Sequence, residues 1–117
     1  MIILNLRGTY TEKNLRKAME NEAMAFTKYQ IYAKLIDKES KDLGDKIRSI
    51  AHNEKEHFKI WAKLLLGKDY YNNEENISNA IYGEVHEAEK MYPEFARIAR
   101  EEGFDDIAEK FEKIGDI

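Results

Sequence analysis

Residues 43–64, LGDKIRSIAHNEKEHFKIWAKL, carry a repeating pattern of apolar residues that decides the fold class. The repeat advances by four and three residues in turn, which is the spacing of one face of an α-helix. Its members are Leu43, Ile47, Ile50, Glu54, His57, Trp61 and Leu64. Glu54 and His57 are ionisable, although the face that they share is otherwise apolar. The stretch therefore predicts a helix with polar chemistry on its buried side.

Three further stripes with the same spacing extend the pattern over most of the chain. They are Leu15, Met19, Glu22, Phe26, Tyr29, Ala33 and Ile36; then Ile77, Ile81, Glu84, Glu87 or Ala88, Met91, Phe95 and Ile98; then Phe104, Ile107, Phe111 and Ile114. The first three stripes each fit a helix of roughly 25 residues, and the fourth fits about half that length. The pattern predicts an all-α protein, an antiparallel four-helix bundle with an incomplete fourth helix, formed by residues 1–117 as a single domain.

Local signals predict where these helices begin and end. Thr9 and Glu12 fit a capping box, so the first helix should begin near Thr9 or Thr11. Gly67 should end the second helix, and residues 67–76 should form the one long connection. Pro93 lies inside the third helix, where it lacks a hydrogen-bond donor and should kink or loosen the helix.

The composition excludes several classes of protein. A net charge of −4 without a Lys/Arg-rich run argues against a nucleic-acid binder. The absence of cysteine excludes disulfides, zinc ribbons and iron–sulfur sites. No apolar run approaches the length of a membrane span, so a soluble, cytoplasmic protein is expected.

The ionisable residues on the apolar stripes predict a metal site. A buried carboxylate is costly unless a partner such as a cation compensates it. Residues at i and i+3 share a helix face, so Glu54 points the same way as His57, and Glu84 the same way as Glu87. Oxygen ligands with one imidazole suit iron or manganese, and carboxylates can bridge two cations about 3.5–4 Å apart. Glutamates from two helices combined with Glu-x-x-His from the other two are typical of di-iron bundles.

A simpler interpretation exists for each residue alone, because a single glutamate near a helix seam usually reaches water. The convergence of three stripes favours the metal site. The predicted ligands are Glu22, Glu54, His57, Glu84 and Glu87. Tyr29 and Tyr92 are expected to pack in the core or to hydrogen-bond to ligand carboxylates. No catalytic residue is expected beyond the ligands.

An internal repeat indicates that the predicted site is incomplete. Shifting the chain by 62 residues places Glu22 on Glu84, and after a two-residue gap Ile50 falls on Ile114. Glu54 would then fall on position 118, just beyond Ile117. We expect either a longer native protein or a second chain to supply the missing ligands.

The chain resembles the ferritin-like di-iron domain of the rubrerythrin family over essentially its whole length. The matching stretches are Thr11–Leu15 with Glu22 and Tyr29, Asn53–His57, Gly83–Glu87, Met91–Ala96, and Glu101–Phe104 with Ile107 and Ala108. The resemblance implies that Glu22, Glu54, His57, Glu84 and Glu87 bind two iron ions. It implies the reduction of hydrogen peroxide to water, with Glu87 alternating with His57 on one iron. Full-length members usually carry a rubredoxin-like module with four cysteines, so this cysteine-free chain should use a separate electron donor such as a rubredoxin.

Two alternatives of different classes remain open from the sequence. The same ligands would serve a ferritin-like iron-binding or ferroxidase protein equally well. A truncated helical module with an incomplete metal site is the third hypothesis. A half-length fourth helix leaves an apolar groove partly uncovered, which favours a homodimer, in which two chains can exchange helix pairs.

Overall fold

Helices account for nearly all of the chain in the computed structural model, which describes residues 5–116. Met1–Leu4 and Ile117 lie outside the described residues. The elements in chain order are α1 (Tyr10–Ile36), α2 (Lys41–Leu66), a 3₁₀ segment (Gly67–Tyr71), α3 (Asn73–His86), a π-helical turn (Glu87–Met91), α4 (Tyr92–Glu101) and α5 (Asp105–Gly115). No strand occurs between residues 5 and 116, which confirms the predicted all-α, ferritin-like class.

Side-chain caps begin three of the helices where local chemistry favours them. The Oγ1 atom of Thr9 accepts a hydrogen bond from the backbone N–H of Glu12 at 3.1 Å, which confirms the predicted start of α1. Ser40 caps α2 through the N–H of Leu43 at 3.2 Å, and Asn72 caps α3 through the N–H of Glu75 at 3.1 Å. The predicted long connection at residues 67–76 is therefore wrong in extent, because the cap at Asn72 lets α3 begin four residues before Ile77.

The chain divides into two compact units between Tyr70 and Tyr71. In the first unit, α1 and α2 form an antiparallel hairpin around a turn at residues 37–40. The buried positions along this hairpin are small residues, namely Ala33, Gly44, Ala51 and Ala62. Next to the turn, the two terminal guanidinium nitrogens of Arg48 donate hydrogen bonds to the carboxylate of Asp37, at 2.9 and 2.7 Å. Small residues at the contact let the two backbones approach closely.

The second unit contains α3, the π-helical turn, α4 and α5. Ala96, Ala99 and Ala108 are buried where α4 packs against α5, with Phe111 partly buried beside them. Pro93 follows the π-helical turn, in which the N–H of Tyr92 donates to the carbonyl of Glu87. A proline ring crowds the carbonyl four residues before it, and the wider turn relieves that crowding. The predicted loosening of the helix near Pro93 is confirmed.

On α2, α4 and α5 the predicted apolar stripes differ from the observed buried faces by about one residue. Phe95 and Ile98 remain 42% and 39% exposed, whereas their neighbours Ala96 and Ala99 are buried. On α4 the stripe therefore lies beside the helix–helix contact, whereas Ala33 on the stripe of α1 is buried inside the contact with α2.

Two other expectations concern the whole protein. Among the described residues, no helix is both long and apolar enough to cross a membrane. The cytoplasmic location and the single-domain organisation stay predictions.

Candidate metal centre

Three predicted ligands converge in the first unit. Glu22 lies near the middle of α1, and Glu54 and His57 lie one turn apart on α2. Because residues at i and i+3 share a helix face, Glu54 and His57 both point towards α1. One oxygen or nitrogen atom from each of the three side chains lies within 4.8 Å of the others, which is the spacing that a single cation would need.

The carboxylate of Glu22 is more buried than the imidazole of His57. Its side chain is 19% exposed, whereas that of His57 is 49% exposed. The Oε2 atom of Glu22 is fully shielded from solvent and accepts no hydrogen bond from any residue that the structure describes. His57 Nδ1 lies 3.3 Å away, but its direction does not meet the geometry of a hydrogen bond. A buried oxygen of this kind is costly without a positive partner.

The carboxylate of Glu22 disfavours the charged form of the neighbouring Glu54 carboxylate. A hydrogen bond with Glu22 holds the pKa of Glu54 above its usual range, and burial and the negative charge of Glu22 raise that pKa further. His57 has the opposite effect on the pKa of Glu54. Two neighbouring carboxylates disfavour each other's charged form at short range. A divalent cation would neutralise both groups.

The donor set therefore fits a metal ion. Two carboxylates and one imidazole offer hard oxygen ligands with one nitrogen, which suit iron or manganese better than copper. The unpartnered Oε2 atom of Glu22 and the raised pKa of Glu54 are the features that a bound cation would resolve.

The other two predicted ligands lie in the second unit. Glu84 is exposed on α3, and Glu87 is half-buried at the first residue of the π-helical turn. The structure thus brings together Glu22, Glu54 and His57, whereas a contribution from Glu84 and Glu87 to the same centre stays a prediction.

The predicted partners of the ligands pack against other aromatic rings. The ring of Tyr29 lies 6.1 Å from that of Tyr32, and the ring of Tyr92 stacks 6.1 Å from that of Phe111. Their hydrogen bonding to ligand carboxylates stays a prediction. Sequence reasoning assigned Trp61 to the core and missed that its Nε1 atom is shielded from solvent without a hydrogen-bond partner among the described residues. No sequence signal distinguishes such an indole from an ordinary core tryptophan.

Comparison with known proteins identifies the family. The rubrerythrin family profile matches residues 13–116. A rubrerythrin of Nitratidesulfovibrio vulgaris is 34% identical, covering 94% of this chain and 64% of that protein. A putative rubrerythrin of Methanocaldococcus jannaschii is 33% identical over 97% of this chain and 65% of its own length. A rubrerythrin of Clostridium perfringens is 34% identical, covering 94% of this chain and 65% of that protein.

The chain spans slightly less than two thirds of the length of these relatives. The match nevertheless includes every residue of the carboxylate–histidine cluster and both predicted ligands of the second unit. The chain belongs to the rubrerythrin family.

Proposed function

We propose that this protein is a non-haem di-iron oxidoreductase that reduces hydrogen peroxide to water. The observation that carries the proposal is the convergence of Glu22, Glu54 and His57 around a shielded carboxylate oxygen without a hydrogen-bond partner. Family membership favours iron as the cation.

In this proposal the five predicted ligands hold the iron ions. Glu22, Glu54 and His57 bind from the first unit, and Glu84 and Glu87 bind from the second. A ferrous pair would supply the two electrons that, with two protons, convert one hydrogen peroxide into two waters. The chain's own residues hold the cations, neutralise their charge and govern access to them.

The individual side chains have different roles in this scheme. A cation held between Glu22 and Glu54 would favour the charged form of Glu54, whose pKa the hydrogen bond with Glu22 otherwise raises. His57 is half-exposed and so lies on the side from which a small, polar oxidant can enter. Glu87 begins the π-helical turn, whose looser backbone would let its carboxylate move towards and away from the centre.

Electrons would come from a separate donor, for which a rubredoxin is the proposed partner because the chain itself has no cysteine. We further propose that the protein works as a homodimer in the cytoplasm.

Peroxide turnover by iron-loaded protein tests this function. Anaerobically reduced protein should consume hydrogen peroxide faster than the same concentration of free ferrous iron and should leave its iron bound. The Glu54→Gln variant should lose this advantage. A rate equal to that of free iron would contradict the proposal. Rapid oxidation by dioxygen, with many irons retained per chain, would instead favour the ferroxidase alternative.

A further inference from the structure

Trp61 has a polar atom that the proposed function does not use. Its Nε1 atom is shielded from solvent and has no hydrogen-bond partner among residues 5–116. An indole N–H can only donate a hydrogen bond, and a buried donor without an acceptor is costly. The Oε2 atom of Glu22 is shielded and unpartnered in the same way, and an ionised carboxylate can only accept. The first unit therefore contains a buried donor and a buried acceptor that both lack partners among the described residues.

Trp61 lies next to the carboxylate–histidine cluster along α2. It follows His57 by four residues, which is one helical turn, so the two side chains share a face of the helix. Side chains on a helix lean towards its N-terminus, so the indole extends back over the turn that carries His57. The donor is therefore directed along α2 towards the level of the cluster.

Glu22 on α1 leans towards Trp61 in turn. A Cβ on Gly44 would lie 3.1 Å from the carbonyl oxygen of Ala33, so these two residues are level in the antiparallel hairpin. Counting the same number of residues along each helix places Glu22 level with residue 55, and Trp61 lies about 9 Å further along α2. Because the helices run in opposite directions and each side chain leans towards its own N-terminus, the carboxylate and the indole lean towards each other. The two unpartnered atoms are therefore closer than their Cα atoms along the hairpin axis.

The carboxylate of Glu22 already has two neighbours on α2. It hydrogen-bonds with Glu54, and its Oε2 atom lies 3.3 Å from His57 Nδ1. A cation would draw Glu54 and His57 to itself, because both are ligands, and would end their contacts with Glu22. One oxygen of Glu22 would then bind the cation, and the other would need a hydrogen-bond donor in a shielded place.

We infer that the indole N–H of Trp61 donates a hydrogen bond to the carboxylate of Glu22 when a cation binds the cluster. The cation takes one carboxylate oxygen and the indole takes the other, so one arrangement satisfies both unpartnered atoms. Trp61 is then a positioning residue, which fixes the direction in which Glu22 presents its oxygen to the cation. This inference rests on the cation of the proposed function, and it adds a residue on which the affinity for that cation depends.

Tyr29 is a competing donor, because the sequence predicts that it packs in the core or bonds to a ligand carboxylate. It lies seven residues after Glu22 on α1, about 10 Å along the axis. Both side chains lean in the same direction, so this separation stays open, whereas that between Glu22 and Trp61 closes. The ring of Tyr29 also packs 6.1 Å from that of Tyr32. The geometry therefore favours Trp61 as the donor to Glu22.

Removal of the indole N–H alone tests this hydrogen bond. Trp61 is the one tryptophan of the chain, so growth on benzothienylalanine, a tryptophan analogue with sulfur in place of N–H, changes this position and no other. The analogue keeps the size and shape of the indole, so the packing should be preserved. Titration with zinc, which undergoes no redox change, should give an affinity about 10–100-fold lower than that of the unmodified protein. Equal affinities would overturn the inference.

Nuclear magnetic resonance of protein with isotope-labelled tryptophan observes the same hydrogen bond in the unmodified chain. The single indole N–H signal should move downfield when zinc binds, because the donor gains a charged acceptor. Exchange of this proton with solvent should slow at the same time. An indole signal that keeps its position while zinc binds would overturn the inference, whatever the variants show.

Two control variants separate the hydrogen bond from packing and from the competing donor. Phe58→Leu alters a half-buried ring next to His57 that has no polar atom, and it should leave the zinc affinity unchanged, as should Tyr29→Phe. A loss in Tyr29→Phe without a loss in the benzothienylalanine protein would assign the donor to Tyr29 and overturn the inference. Protein that binds neither zinc nor iron would overturn the proposed function together with the inference, whereas normal binding with an unaffected indole would overturn the inference alone.

Discussion

His57 Nδ1 on α2 lies 3.3 Å from the shielded Oε2 atom of Glu22 on α1, yet the two atoms do not form a hydrogen bond. Both atoms are potential metal ligands, and Glu54 offers a third within 4.8 Å. The hairpin therefore brings together three potential ligands whose mutual contacts leave one oxygen without a hydrogen bond, and a bound cation would compensate that oxygen.

Replacing Glu22 with glutamine should weaken metal binding with little change in shape. We expect the affinity for ferrous iron to fall by more than about tenfold, since even residues behind the ligands contribute that much. Isothermal titration under anaerobic conditions measures the change. Glu20→Gln is the matched control, because Glu20 is exposed on the same helix and should leave the affinity unchanged. Equal affinities for the two variants would contradict the assignment of Glu22.

Replacing Glu54 with glutamine should affect the metal-free and the metal-loaded protein differently. Without metal, the substitution removes a carboxylate that Glu22 already disfavours in its charged form, so the melting temperature should rise or stay constant. Ligand at one hundred times its Kd stabilises a protein by about 2.7 kcal/mol, and wild type should show such a gain with iron. Calorimetry should find this gain largely absent in Glu54→Gln. A metal-dependent gain of equal size in both proteins would refute the role of Glu54.

Replacing Pro93 with alanine should remove the π-helical turn. Without the proline ring, residues 87–93 can continue as an α-helix, which rotates Glu84 and Glu87 by about 100° relative to α4. We expect a higher melting temperature and fewer bound irons. Glu89→Ala, at an exposed site in the same turn, should retain the wild-type iron content. Unchanged iron content in Pro93→Ala would show that the turn does not position Glu87.

Replacing Gly44 with alanine should destabilise the first unit although alanine favours helices. A Cβ at this position would overlap Asp37 Oδ1 and come within 3.1 Å of the carbonyl of Ala33. Overpacking of about 1–3 kcal/mol should exceed the gain in helix propensity of about 1 kcal/mol. Urea unfolding measures the difference. The loss should be smaller in an Asp37→Ala background, and an equal loss there would contradict the steric explanation.

The Asp37–Arg48 pair should make stability depend on pH in the acidic range. Its hydrogen bonds hold the pKa of Asp37 below the ordinary value of 3.8. A lowered folded-state pKa gives stabilisation that is present above 3.8 and is lost as the pH falls through the folded value. The stability difference between wild type and Asp37→Asn should therefore shrink as the pH is lowered from 5 to below 3.8. A difference that is constant over this range would contradict the pairing.

Helix periodicity was sufficient to predict that Glu22, Glu54 and His57 lie on facing sides of α1 and α2. The spacing from Glu54 to His57 places them on one helix face, and the Thr9 cap marks the start of α1. Periodicity could not distinguish the side of α4 that packs against α5 from the adjacent side, because Ala96 and Phe95 are one residue apart and both are apolar.

Local composition misled the prediction of the connection between the units. The composition of residues 72–76 is typical of a polar loop. The side-chain oxygen of Asn72 nevertheless accepts a hydrogen bond from the N–H of Glu75 and caps α3, and the acidic residues that follow favour a first helical turn.

The iron content of the intact protein tests the central claim most directly. Protein loaded anaerobically with ferrous iron and measured by native mass spectrometry reports the metal and the number of chains together. We predict two irons per chain in a dimer, with the irons lost in Glu54→Gln and retained in His52→Ala, whose side chain is exposed and points to Glu56. A wild-type chain without bound iron, or a Glu54→Gln chain with the full amount, would contradict the account.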